Sequence, residues 1–441
     1  MALHFANGIP TRLSMWQRVR AYAVPPSMIE TCTVRRAAGD WAGACAAARI
    51  DVDLDLRAVR RRHGIFLADR VRADLRRLAP DLLRWHMPRV APDGRLRPGL
   101  TVSLARYGPL RLVVRTPPER AGGGQRMSLS LWEGPGSGPP PDHHPHPYPE
   151  RRFRLDLHRH LWDAGRSGEL AARAVAGWAA EAELLLRAEG AGPRGAFTVR
   201  FAARERAVLE LVAPDDSHAP TCRPLRELPA PQVVAALPVL PDAAVRKLPD
   251  LELLRAGLIT PGQLHPLVAA ALAGLGAAPQ AGPPVPGPGD PHRVECRGEV
   301  HRIALRDGVL TAVDHDPDQL RREELLVALG GPGLPCLRAI DAVHRSPEAL
   351  PAVRERLLHG DAVGALAVVE GLLGAGAVLR AGPLKDELES AAARRVGHGL
   401  FRAGLDAVPG GGPSRRPFDA PRPVRPRLSA GGGWSRSSPR P

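Results

Sequence analysis

The chain has 441 residues, a formal net charge of +15, 44% hydrophobic and only 4% aromatic residues, with 48 Pro and 46 Gly. That length exceeds one ordinary core and predicts two domains once the Pro-rich stretches are set aside. No run approaches the roughly 18 to 20 apolar residues that span a bilayer. The first residues lack the basic and apolar regions of a secretory signal, and the 5 cysteines are scattered without CxxC spacing, so a cytoplasmic protein with no membrane partner is expected.

Charge is unevenly placed. Residues 57–97 hold twelve Arg against four Asp and residues 411–441 seven Arg against one Asp, so a polyanion meets these two segments first. Lys occurs only at Lys247 and Lys385, a skew that resembles a high-GC bacterial coding bias and weakens Arg abundance as a functional signal.

Residues 1–27 contain a short amphipathic stretch (Leu13, Trp16, Val19, Tyr22) ending at Pro25-Pro26, and read as a loosely ordered leader. Gly39-Asp40 starts a helix with Asp40 as N-cap, and Gly360-Asp361 repeats the Gly-Asp-x-x-Gly-Ala signature. Asp51, Asp53 and Asp55 alternate with apolar residues and predict an exposed strand edge; a calcium loop needs Gly at its sixth position and a distal Glu, which are missing. Basic helices follow, interrupted at Gly64 and Pro80. The segments 100–107, 110–115 and 126–132 change to period two and predict an antiparallel sheet packed on those helices. A linker at 134–149, with His143, His144 and His146, is expected to be solvated. The alternation of 152–160 predicts a half-exposed strand, followed by one helix over 167–187 and strands near 197–201 and 207–212.

From Thr221 onward the reading is mainly helical, with Pro at helix starts, such as Pro261 behind the N-cap Thr260, and a Pro/Gly-rich loop at 277–292. The clearest local signal spans residues 296–329. Two alternating stretches flank Asp307-Gly308 and predict a hairpin with Leu305 opposite Leu310, Ile303 opposite Ala312 and His301 opposite Asp314. Asp316, Pro317 and Gln319 then start a helix. More helices follow, and residues 407–441 cannot bury a core, so a disordered basic tail is expected. The fold class is mixed α/β (α+β). An N-terminal helix-plus-antiparallel-sheet domain occupies 28–213, and a mostly α-helical C-terminal domain with one β-hairpin occupies 221–405.

No spacing dictates a mechanism, for the chain lacks GxxxxGK[ST], GxSxG, HExxH and a complete GxGxxG. His301 with Asp314 is a candidate base and orienting carboxylate, against the plainer reading of a structural cross-strand pair. The metal candidates are Cys296, His301, His315 and Cys336, with His218 and Cys222 as additional donors. Tight ligand pairs are missing and the hairpin register sends His301 and His315 to opposite faces, so packed thiols and no bound zinc are expected. Arg57, Arg60, Arg61, Arg62, Arg70, Arg72, Arg76 and Arg77, with Trp85 as a stacking residue, form a candidate nucleic-acid surface.

These features lead to a non-catalytic protein-interaction or regulatory module with a protein partner and no cofactor. Nucleic-acid binding through the basic helices and tail is the alternative, and an enzyme or metalloprotein centred on His301 the third reading.

Overall fold

The computed structural model describes residues 5–6, 9–134, 144, 146, 148–192, 194–201, 205–212, 219–273, 293–306, 309–328, 333–345, 349–374 and 376–405. The 277–292 loop, the 407–441 tail, His143, His218 and most of the 134–149 linker lie outside the described residues.

The fold is mixed α/β. Its main sheet has the strand order Ile50–Asp53, Met127–Trp132, Leu110–Arg115, Thr101–Tyr107. The last three are antiparallel, with Val114 opposite both Val102 and Leu129. The Asp-alternating segment joins as a parallel edge, Ile50 opposite Met127. Val102, Ser103 and Leu104 are consecutive and fully buried, so both faces of this sheet are covered. Its far edge is covered as well, since the Glu150 and Asp156 N–H groups donate to the carbonyls of Thr101 (2.8 Å) and Ser103 (2.9 Å).

That edge cover is the segment expected to be a half-exposed strand, and the structure corrects it. Residues 152–160 form turns leading into the 3-10 turn Arg159–Leu161. Phe153 and Leu155 enter the core while Arg152, Arg154, His158 and His160 are also buried. Period two fails here because the charged side chains have partners inside: Arg154 donates to Asp156 (2.8 Å) and to Glu189 (2.5 Å). The single helix expected over 167–187 is likewise divided, into Leu170–Ala174 and Trp178–Ala188, with extended backbone at Gly177.

The short helix Pro80–His86 sits at the centre of the fold. Its residues 80–85 are all buried, three of them polar, and each polar group bonds to a different region. Arg84 donates to the carbonyls of Ala23 (3.0 Å) and Gln125 (2.7 Å), Trp85 Nε1 donates to Asp250 (2.8 Å), and Asp81 bonds His265 Nε2 (2.8 Å).

Two boundaries expected from sequence differ as a result. Within the expected leader 1–27, the stretch from Met15 to Val24 is not loose: Met15, Trp16, Val19, Ala23 and Val24 belong to the main core, and Trp16 packs on Trp85 with ring centroids 5.1 Å apart. Leu253, Ile259, Leu264, Val268 and Leu272 belong to that same core, so the chain does not change core at 213–221. The composition shift there marks more helix, not a new hydrophobic centre.

A second sheet, Gly195–Arg200, Arg206–Val212 and Thr221–Pro224, packs on Trp178–Ala188 around Phe197, Val199 and Leu211. A third, Arg293–Cys296, Glu299–Arg306 and Val309–Ala312, forms another cluster with the C-terminal helices. The hairpin register agrees with expectation, Ile303 opposite Ala312 and Leu305 opposite Leu310. The strand Arg293–Cys296 was not expected, and it turns into its neighbour through Arg297 and Gly298, both at positive φ.

The repeated Gly-Asp signature builds the same helix start twice. Asp40 accepts from Gly43 N (2.7 Å) and Arg35 (2.7 Å), and Asp361 from Gly364 N (3.2 Å) and Arg356 (2.7 Å). A Cβ at Gly43 or Gly364 would lie 2.0 or 2.2 Å from the capping carboxylate, which is why the signature needs the second glycine.

Because Trp16 is packed in the core, Trp16→Ala should destabilise the protein by about 3–5 kcal/mol in urea unfolding. A loosely attached leader would instead give a change within about 0.5 kcal/mol.

Candidate ligand cleft

Where the helix Thr11–Arg18, the end of Pro80–His86, residues 152–161, the helix Trp178–Ala188 and residues 242–249 meet, they enclose a cleft of about 470 Å³. That volume suits a small organic ligand. The floor is apolar, with Met15, Val102, Leu155, Leu161 and Leu170. Trp178 and Phe153 add aromatic surface.

The walls are cationic. Asp242 is shared by two guanidiniums, Arg152 (2.8 Å) and Arg246 (2.9 Å), and Glu181 is shared by Arg173 (3.0 Å) and His158 Nε2 (3.0 Å). Arg12 pairs with Glu252 (2.8 Å). Among the described residues Arg97 and Lys247 have no ion-pair partner, and both line the cleft. Arg97 lies over the Phe153 ring at 6.0 Å; burial and the nearby Arg152 charge lower its pKa. Cations therefore outnumber carboxylates, and the local field favours an anion.

Histidines complete the lining. Burial, with His158 next to it, lowers His160 to about 2, and burial lowers His86 to about 3. Both rings are neutral at physiological pH, and His86 Nε2 is buried with no hydrogen-bond partner among the described residues. His158 is held at both nitrogens, by the Arg154 carbonyl (3.2 Å) and by Glu181. No Ser, Thr or Cys lines the cleft among the described residues, so it offers charge and shape but no hydroxyl or thiol nucleophile.

The residues singled out from sequence lie elsewhere. The basic helices are Leu56–His63 and Ile65–Arg77, and much of their charge is used internally. Arg62 bonds Glu133 (2.9 Å), Arg61 lies 3.9 Å from Asp55, Arg72 pairs with Asp69, and Arg77 bonds Asp74 (2.6 Å). Arg70 lies over the Tyr107 ring. Arg57, Arg60 and Arg76 remain exposed without ion pairs among the described residues. Trp85, expected to stack on a base, is 1% exposed and bonded to Asp250.

The expected pair of His301 and Asp314 is not formed. The Asp314 carboxylate accepts from the Arg302 N–H (2.7 Å) and guanidinium (2.7 Å), and those bonds lower its pKa to about 2. His301 instead stacks on His315, with centroids 4.2 Å apart and planes at 10°. The rings do not face opposite ways, as the register predicts, because His315 lies past Ala312, the last paired residue, where the chain turns and period two no longer applies. Cys296, His315 and Cys336 come together, each offering a ligand atom within 4.8 Å of the others. Cys222 is not among them and packs with the second sheet.

Sequence reasoning missed the cleft. Its one local signal was the dense mixture of Arg, His and Asp over 152–160, read as a solvent face.

Buried neutral histidines make stability depend on pH in a defined direction. His160 and His359 are pushed down to about 2 and about 3 when folded, against about 6.5 unfolded. Below pH 6.5 the unfolded chain binds more protons, so this stability is full above about 6.5 and is lost as pH falls toward the folded values. Each contributes a loss of about 2 kcal/mol by pH 5. Urea unfolding at pH 7.5 and 5.0 should show it, and His160→Gln should reduce the difference by about 2 kcal/mol; an unchanged difference would contradict the assignment.

No helix among the described residues is long and apolar enough to cross a membrane. No family model, curated protein or solved structure matches this chain.

Proposed function

We propose that this protein is a non-catalytic, ligand-binding regulatory module whose cleft takes a small organic anion, with a phosphorylated molecule as the best fit. The observation that carries the reading is the excess of cations around an apolar floor, with Arg97 and Lys247 unpaired at the cleft among the described residues. Guanidinium and ammonium groups suit phosphate oxygens, and the aromatic and aliphatic floor suits the body of the molecule. The lack of a hydroxyl or thiol nucleophile in the lining among the described residues, and the engagement of Glu181 with His158 and Arg173, favour binding over chemistry. The free thiols, four of them buried, fit a cytoplasmic setting.

Nucleic-acid binding is the second reading. The exposed Arg57, Arg60 and Arg76 favour it, and the internal pairing of Arg62, Arg72 and Arg77 weighs against it.

Titration calorimetry with inorganic phosphate, sugar phosphates and nucleoside mono- and diphosphates tests the proposal. At least one organic phosphate should bind one per chain, and the combined Arg97→Ala, Lys247→Ala variant should weaken it at least about tenfold, since a hydrogen bond to a charged group contributes about 1.5–3 kcal/mol. Failure of the whole set to bind, or an affinity unchanged in that variant, would overturn it.

A further inference from the structure

We propose that Cys296, His315 and Cys336 form a zinc site with His301 at its fourth side, in the third core cluster and independent of the cleft. Three separate segments deliver the ligands. Cys296 ends the strand Arg293–Cys296, His315 follows the hairpin, and Cys336 stands in the first turn of the helix Pro335–Arg345. The usual sequence signature of paired ligands is missing because no two of these donors share an element.

The geometry is close to what the metal needs. Ligand atoms on a tetrahedral zinc, about 2.0–2.3 Å from the ion, stand roughly 3.5–3.8 Å apart. The three donors here all lie within 4.8 Å of one another, so closure by about an ångström suffices. Both cysteines are fully buried and unpaired by a disulfide. His315 Nε2 and His301 Nδ1 are buried with no hydrogen-bond partner among the described residues. A buried nitrogen without a partner destabilises a fold unless something bonds it, and two of them beside two thiols form a donor set rather than a packing accident.

The donor chemistry selects the ion. Two thiolates and imidazole suit zinc and do not suit calcium or magnesium, which take oxygen ligands. Binding releases the two thiol protons to solvent, and the two thiolate charges then balance Zn²⁺, so the core gains no net charge. The stacked His301 is the neighbour that supplies the fourth donor by rotating about its own side-chain bonds. The ion then ties the three-stranded sheet to the helix behind it.

The test uses the full chain, purified under reducing conditions and loaded with zinc or cobalt(II). One zinc per chain is expected by elemental analysis, with thiolate-to-cobalt charge-transfer absorption in the cobalt form. Cys296→Ala, Cys336→Ala and His315→Ala should each lose both signals, His301→Ala should weaken zinc at least tenfold, and Cys222→Ala should change nothing. Substoichiometric zinc in the loaded wild-type chain, or a full complement retained in a cysteine variant that still shows native circular dichroism, would overturn the site. Because the wild-type titration stands alone, a variant that fails to fold leaves the proposal decided.

Discussion

A helix buried on all sides cannot leave its polar side chains to water, and the helix Pro80–His86 carries three. Arg84 bonds Ala23 and Gln125, Trp85 bonds Asp250 and Asp81 bonds His265, residues that lie between 41 and 184 positions away. Each bond fixes a different segment against the core, which explains why residues 15–24 and the helices of 249–272 belong to the same hydrophobic centre. A desolvated guanidinium or carboxylate with its partner removed is strongly destabilising, so these contacts constrain the arrangement more than apolar packing alone would. His86, at the end of the same helix, reaches the cleft, and the cleft walls stand on the segments that the helix fixes.

Charge is distributed by a related logic. On the basic helices Leu56–His63 and Ile65–Arg77, several arginines close into ion pairs with nearby carboxylates, so part of that charge is neutralised within the fold. In the cleft, Asp242 is shared by two guanidiniums while Arg97 and Lys247 have no ion-pair partner among the described residues, so the positive charge exceeds what the lining carboxylates neutralise. A net count along the sequence points to the first region. Only the folded arrangement points to the second, because Arg12, Arg97, Arg152 and Lys247 come from segments far apart in the chain.

What was legible in the sequence is what local chemistry decides. The Asp40 and Asp361 caps, the helix start at Thr260 and Pro261, the three central strands and the Ile303 to Ala312 register depend on residues a few positions apart. What was not legible depends on distant partners. Trp16 reads as a loose amphipathic stretch until Trp85 lies against it, and Arg154 as solvent-facing until Asp156 and Glu189 enclose it. Cys296, His315 and Cys336 stand out by residue type, yet their assembly is hidden because strand alternation stops at Ala312, before His315.

The central claim is that the cleft is a receptor for an organic anion, and a crystal structure with the tightest-binding organic phosphate reads it most directly. The account predicts phosphate oxygens within hydrogen-bond distance of Arg97 and Lys247, with the rest of the molecule on the floor formed by Leu155, Leu161 and Phe153. Density for the ligand on the outer arginines of Leu56–His63, with none between those cleft residues, would contradict it.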